Sequence, residues 1–454
     1  MPTRRPVKAL SNSALKADTS PPSQTSDLPL QPGSGQGRRH GTSSNEPFDR
    51  WFRYPAGFAS DYVSVLLHEL ELEPGGLVVD PFAGSAVTGT AARAAGLSFF
   101  GIEAHPLISE LGRLKLQTPP GRPAELASVA REIARMYSAS PNDQDLDAEA
   151  SLIRRCFSDP ILTQLVALRN AIKSGVGEPW SDYLKWALLA TLRDVAGVRV
   201  GWPYQRPGTD RRPPHADAFT RFERRVSWMA ADLDEYSKIT ELHTSKLVNG
   251  DSRDPESWSH IAPTQAHGCV SSPPYLNNFD YADATRLELY FWGEVTTWSQ
   301  MVSTVRSEMI TATTQQSSVG SAALATSALR ELGPTATSID ILVQKLHGER
   351  TSRSRGKEYD RVLPAYFLAI SQVLSNLAGT LAPGAPAVWL VGDSAPYGVY
   401  VDTPGIIAEL AQHAGLSLEK DVVLRRRGQR WAGNSSRHGI ELAERLILMR
   451  RNQQ

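Results

Sequence analysis

An open α/β sheet of Rossmann-like build is the fold class this sequence predicts, and three observations predict it. The first is the stretch 77–103, where the apolar run Leu77-Val78-Val79 ends in Asp80-Pro81-Phe82-Ala83-Gly84-Ser85. An Ala-rich helix former follows at 87–95, and Gly96 then stops it before a second apolar strand over 98–102. The second is the acid, Glu103, that closes this second strand where nucleotide-binding α/β folds place a ribose-binding carboxylate. The third is the alternation of strand and helix patterns on both sides of a long central segment.

Taken in order, the chain begins with residues 1–46, rich in Ser, Pro, Gly and Arg and nearly free of aromatic side chains. Such a segment cannot bury enough apolar surface to offset its ordering entropy, so a disordered tail is expected. At 48 the pattern changes. Trp51-Phe52-Arg53-Tyr54-Pro55-Ala56-Gly57-Phe58 reads as an aromatic turn before a helix with Val63, Leu66, Leu67 and Leu70 on one face. Residues 106–245 read as a largely helical insertion, with helical spacing over 124–137, 151–173 and 181–195.

Within that insertion, Trp202 and Arg206 sit in a run of arginines and aromatic rings that extends to Arg221, Arg224 and Arg225. Guanidinium groups take phosphates or guanine edges and rings stack on bases, so this is one candidate nucleic-acid surface. A second is the basic loop 350–357, with Arg353 and Arg355. Beyond the insertion, strands are expected at 247–249, 268–271, 387–391, 418–425 and 446–450, with helices over 283–292, 361–381 and 403–413. The Thr-, Ser- and Gln-rich stretch 311–327 has weak periodicity and reads as mobile.

Composition narrows the class. The 454 residues exceed one compact core. The 48 basic residues balance the 48 acidic ones, so any DNA contact must come from local patches. Cys156 and Cys269 form no C-x-x-C pair, which suggests neither a disulfide framework nor a metal site. No apolar run approaches the roughly 18 residues of a membrane span. No secretory h-region is present either, so a cytoplasmic, nucleoid-associated protein is expected.

The string Asp80-Pro81-Phe82-Ala83-Gly84-Ser85, Glu103 and the later Ser272-Pro273-Pro274-Tyr275 together resemble the amino-directed DNA methyltransferases. That family uses S-adenosylmethionine to methylate the exocyclic amine of cytosine or adenine. The resemblance covers about 48–103 and 246–450, with Ala86 where the family's F-x-G-x-G loop has its last glycine. It implies a seven-stranded class I methyltransferase sheet, mostly parallel with a reversed last strand. It also implies a catalytic domain made of residues 47–105 and 246–454, the insertion 106–245 being a candidate target reader.

For the cofactor, the resemblance implies the loop 80–85, Glu103 and Ala104, Asp251 and Ser252 at the third strand end, and Tyr54 and Phe58 over the methionine end. For the substrate it implies Tyr275 and Asn277 beside the base, with Trp202, Arg206, Arg353 and Arg355 toward double-stranded DNA. A cognate restriction endonuclease is an implied partner, while no metal and no membrane are expected.

The chemistry of Ser272-Pro273-Pro274-Tyr275 follows from the substrate. An exocyclic base amine is a poor nucleophile because its lone pair is delocalised into the ring. Two acceptors must hold its N–H groups: a rigid carbonyl, that of Pro273, and the Ser272 hydroxyl. The Tyr275 ring would stack on a base taken out of the duplex. In the family, Ser at the first position is commonest among enzymes that modify cytosine N4. Adenine N6 stays open, as do an RNA base, a protein glutamine and a non-catalytic DNA-binding relic. Methylation of cytosine C5 is set aside, since neither cysteine follows a proline.

Overall fold

The computed structural model describes residues 46–54, 59–138, 144–198, 200, 217–239, 243–276, 279–314, 318–427 and 440–453. The expected tail, save Glu46, lies outside them, as do Phe58, Trp202, Arg206 and Asn277.

Seven strands form one sheet: β1 (Leu77–Asp80), β2 (Ser98–Glu103), β3 (Ser245–Asn249), β4 (Gly268–Ser271), β5 (Pro386–Gly392), β6 (Leu416–Arg427) and β7 (Leu442–Arg451). Their order is β3-β2-β1-β4-β5-β7-β6. Pairing is parallel from β3 through β5, and β7 runs antiparallel to both β5 and β6. This is the class I methyltransferase sheet with its single reversed strand. From β1 the chain winds outward through β2 and β3, and from β4 it winds the other way. The crevice at the carboxyl ends of β1 and β4 is therefore the switch point where such sheets bind ligands.

The helices are α1 (Ser60–Glu69), α2 (Val87–Ala94), α3 (Pro106–Leu116), α4 (Pro123–Ser138), α5 (Ser151–Cys156), α6 (Asp159–Lys173), α7 (Ser181–Val195) and α8 (Ala218–Tyr236). After β4 come α9 (Arg286–Trp292), α10 (Trp298–Met301), α11 (Val319–Leu329), α12 (Pro334–Thr351) and α13 (Tyr359–Thr380). A last helix, α14 (Thr403–His413), joins β5 to β6. Alternation along each strand sorts the core. Val78, Phe99, Val270 and Val388 face α1 and α2, while Val79, Phe100, Cys269 and Trp389 face α13 and α14.

Four local expectations change. Helical spacing over 151–173 hides a break at Phe157 and Ser158, because Pro160 in the first turn of α6 has no N–H to continue α5. The stretch 311–327 read as mobile, yet α11 starts at Val319 under a capping box between Ser318 and Ser321. Val319 and Leu324 stay exposed, which is why its periodicity looked weak. Arg350 and Thr351 end α12 rather than lying in a loop. Finally, α13 is long and apolar enough, by length and composition, to cross a membrane, against the expectation that no run approached this. It lies mostly buried, with Phe367, Ile370, Val373, Leu374 and Leu377 packed in the core beneath the sheet.

The sequence marks the insertion from 106, but α3 belongs to the sheet's own helix layer, where Gly112 lets Leu247 of β3 approach. The helices α4–α8 then share one core with α3, α9 and the aromatic turn at 48–54. Asp232 of α8, almost fully buried, is the hub of that junction. Its carboxylate accepts from the Phe48 N–H at 2.9 Å and the Trp51 indole N–H at 2.8 Å, and it pairs with Arg50. Trp51 and Phe52 pack edge-on against Tyr183 and Trp186 of α7, which fastens the turn to the insertion.

Candidate active site at the carboxyl rim of the sheet

Asp80 ends β1 and is buried. Its carboxylate accepts from the Phe82 N–H at 3.0 Å, the Ser271 hydroxyl at 2.6 Å and the Thr88 hydroxyl at 2.7 Å. Burial pushes its carboxyl up to about 6 although these bonds pull the other way. Asp80 thus ties the loop 81–86, the start of α2 and the end of β4 together, and has little left to offer a ligand.

The loop itself turns on two left-handed residues, Gly84 (φ 53°) and Ala86 (φ 61°). A side chain at Gly84 would meet nothing within 4 Å, so open space lies over the loop at that point. Ala86, in the place of the family's glycine, adopts the left-handed conformation at a cost of about 1–2 kcal/mol. Gly112 of α3 gives its methyl room: a Cβ there would stand 3.2 Å from that of Ala86. The Ser85 side chain turns inward and accepts from the buried Lys115 ammonium at 3.1 Å, leaving only its backbone toward the loop. Burial pushes Lys115 down to about 8.

Glu103, half-buried at the end of β2, faces this loop. One carboxylate oxygen accepts from the Gly84 N–H at 2.8 Å and the other from the His105 N–H at 2.7 Å. Each oxygen keeps a second lone pair. Burial pushes the acid up to about 7, with those two bonds and nearby Asp80 acting in opposite senses. The Glu103 carbonyl accepts from the Gly250 N–H at 3.1 Å and the Asn249 side chain at 2.9 Å, so the β3 end is fastened beside it, with Ala104 next in chain.

Asp251 lies there as expected, but its carboxylate is closed by the Arg253 guanidinium at 2.5–2.9 Å. The Ser252 carbonyl accepts from the Trp258 indole and the Asn376 amide. Tyr54 is buried, and Glu103 adds to the burial that pushes its phenol well above the usual range. The rim thus brings together the loop, Glu103, Tyr54 and the β3 end. An open space over Gly84, two carboxylate oxygens with spare lone pairs and a buried phenol fit a nucleoside with hydroxyl donors, as S-adenosylmethionine has.

Ser272-Pro273-Pro274-Tyr275 leaves β4 on the same rim. The Ser272 hydroxyl donates to the Leu390 carbonyl of β5 at 3.1 Å. The Pro274 carbonyl accepts from the Tyr366 hydroxyl of α13 at 2.8 Å. Among the described residues no group donates to the Pro273 carbonyl. The Tyr275 N–H donates to the Tyr281 hydroxyl at 2.9 Å, and its half-buried ring lies close enough to Arg425 for the two to interact electrostatically. Tyr366 and Tyr281 were not singled out from the sequence. Tyr281 sits six residues past the motif, a usable signal, whereas Tyr366 reads only as one more core position of a helix.

The basic candidates divide. Arg350 is closed by Asp360, with Nε and Nη2 both at 2.9 Å, so it is structural rather than free for phosphate. Arg225 is likewise spent on Asp194 and the Arg50 carbonyl, which removes it from the expected nucleic-acid surface. Arg353 and Arg355 are exposed and line a cleft of about 550 Å³ with Lys357, Tyr359 and Tyr397. Cys156 and Cys269 are buried and unpaired. Among the described residues no three His, Cys, Asp or Glu side chains gather as a metal site.

Several known proteins are similar to this chain in sequence. The family described as DNA methylase, of the N6/N4 type, matches residues 29–112. The Type II methyltransferase M.AvaI of Nostoc sp. is 24% identical over 420 residues, covering 84% of this chain and 82% of its own. The Type II methyltransferase M.BsoBI of Geobacillus stearothermophilus is 22% identical over 432 residues, covering 87% and 82%. Among solved structures, a Methanosarcina mazei S-adenosylmethionine-dependent methyltransferase aligns at 7% identity and a TM-score of 0.30, over 86% of this chain and 98% of that one. That score is too low to weigh beside the strand order itself. In strand order and in these matches, the chain is similar to the S-adenosylmethionine-dependent amino-methyltransferase family of DNA methyltransferases.

Proposed function

We propose that this protein methylates the N4 amine of a cytosine flipped out of double-stranded DNA at a specific site. The observation that carries the reading is the Ser272 hydrogen bond to Leu390. A carbonyl only accepts, so the Ser272 proton is committed and its oxygen faces a substrate as an acceptor. The Pro273 carbonyl is the second acceptor, held rigid by the following proline and by Tyr366 on the next carbonyl. Two acceptors fixed at one amine hold both N–H groups and draw the nitrogen toward tetrahedral geometry, which localises its lone pair.

Bound S-adenosylmethionine supplies the electrophilic methyl. Glu103 would hold the ribose hydroxyls, the backbone of 81–85 and Ala104 would line the cofactor, and Tyr54 with Phe58 would close over the methionine end. Asp251, with Ser252 beside it, would reach the adenine amine once Arg253 yields. Tyr275 would stack on the flipped base, with Asn277 next to it; stacking of this kind contributes roughly 1–3 kcal/mol against the cost of unpairing. A serine is shorter than the Asp or Asn of adenine-modifying relatives and a pyrimidine is the smaller base, which is the reason for preferring cytosine N4 to adenine N6.

In this reading residues 47–105 and 246–454 act as the catalytic domain. The insertion 106–245, beyond the α3 that packs on the sheet, reads the target through Trp202 and Arg206, while Arg353 and Arg355 meet phosphates. The setting is the cytoplasm, beside the chromosome, with a restriction endonuclease of the same specificity as partner. Transfer of labelled methyl from S-adenosylmethionine to duplex DNA, RNA and protein offered in parallel tests it. Label in DNA alone supports the reading, and label confined to RNA or protein overturns it.

A further inference from the structure

The cleft beside α13 is built differently from the rest of the basic surface. Arg355 and Lys357 have no carboxylate partner among the described residues, whereas Arg350 next to them is closed by Asp360. That ion pair pins the connection from α12 to α13 and so presents the two free cations. Tyr397 forms the opposite wall. Its hydroxyl accepts from the Lys357 N–H and donates to the Lys357 carbonyl at 3.0 Å, while its ring meets Tyr359 edge-on at 5.1 Å. The Arg353 guanidinium lies 4.5 Å from the centre of the same ring. Tyr397 holds φ 56°, a left-handed conformation costly for a side chain of this size.

Position gives the cleft its meaning. Tyr359 and Tyr366 are seven residues apart, two turns on one face of α13, which places them about 10 Å from each other along the helix. Tyr366 holds the catalytic motif by the Pro274 carbonyl. On B-form DNA, about 10 Å is roughly three base steps along one strand. Cations without carboxylate partners beside two half-buried rings that line the cleft suit a phosphate with an unstacked base, and the volume is that of a small-ligand site.

We infer that this cleft is a second nucleotide subsite. It takes one nucleotide of the strand that carries the target base, within three positions of that base, with its phosphate on Arg355 and Lys357 and its base against Tyr397 and Tyr359. The inference rests on the DNA methyltransferase reading above and adds a fixed position to it.

Methylphosphonate scanning tests it on the wild-type protein. Each phosphate within four nucleotides of the target is neutralised in turn, and kcat/KM for methyl transfer is measured. One position within three nucleotides should cost about tenfold, and an Arg355→Gln, Lys357→Gln double variant should lose that sensitivity at the same position only. Tyr397→Leu should mimic an abasic nucleotide there, while Tyr397→Phe, which keeps the ring, should retain the effect. A flat scan, or one unchanged in the double variant, overturns the subsite while leaving methyl transfer intact. Absence of any transfer to DNA by the wild type overturns the functional reading and the subsite with it.

Discussion

The Ser272 hydroxyl gives its proton to the Leu390 carbonyl, 3.1 Å away on the neighbouring strand, and this bond leaves the Ser272 oxygen as an acceptor. Ser272→Ala removes that acceptor without touching the cofactor rim. An acceptor of this kind contributes about 1–3 kcal/mol, so kcat should fall by about 10- to 100-fold. Calorimetry of S-adenosylmethionine binding should show no change. Weakened cofactor binding with unaltered kcat would assign Ser272 to the wrong ligand.

Glu103→Ala should weaken cofactor binding about 10- to 100-fold, since charge-assisted hydrogen bonds are worth roughly 1.5–3 kcal/mol. The acid also sets a pH dependence. Burial pushes it up to about 7, so the free protein passes from neutral acid to carboxylate between pH 6 and 8. Ribose hydroxyls donate to the carboxylate, so affinity should rise over that interval and binding near pH 7 should release a proton. Titrations in buffers of different ionisation enthalpy read that proton.

Folding stability should run the other way. A raised acid contributes stability present in full below its unfolded value, 4.5, and lost as pH rises through about 7. The wild type should therefore lose Tm relative to Glu103→Ala between pH 5 and 8. A constant difference would mean that the carboxyl is not raised.

Tyr366→Phe leaves the Pro274 carbonyl unpaired while keeping the ring in the core. If Tyr366 acts only by holding the Pro274 carbonyl, as the proposed function has it, kcat should drop several-fold with KM for DNA and cofactor affinity unchanged. A matched rise in KM would make it a binding residue instead.

Asp232→Ala strands Arg50 and strips two buried N–H donors of their partner. Breaking a buried pair from one side costs about 3–5 kcal/mol, which denaturant unfolding would register directly. A change below 1 kcal/mol would show that the aromatic turn is held by its rings alone.

What the sequence made legible was local. The run from Leu77 to Glu103 carries its strand, turn and helix signals within 27 consecutive positions, and the structure reproduces each of them. Ser272 to Tyr275 stands out in the sequence for the same reason, being four adjacent residues. Asp232 is not, because its partners lie more than 180 positions away and an acid in an amphipathic helix looks like a solvated one. Lys115 likewise reads as a charged surface residue, yet it is fully buried against Ser85. The α5–α6 break escaped because apolar spacing continues in phase across Phe157, with only Pro160 to betray it. Tyr397 gave no signal at all: its meaning comes from the loop that folds against it.

Mass spectrometry of nucleosides from DNA treated with the protein and isotopically labelled S-adenosylmethionine identifies the methylated base. Labelled N4-methylcytosine is expected, abolished or strongly reduced by Ser272→Ala. Label on adenine alone would contradict the cytosine assignment, and unlabelled DNA from a folded, cofactor-binding protein would contradict DNA methylation itself.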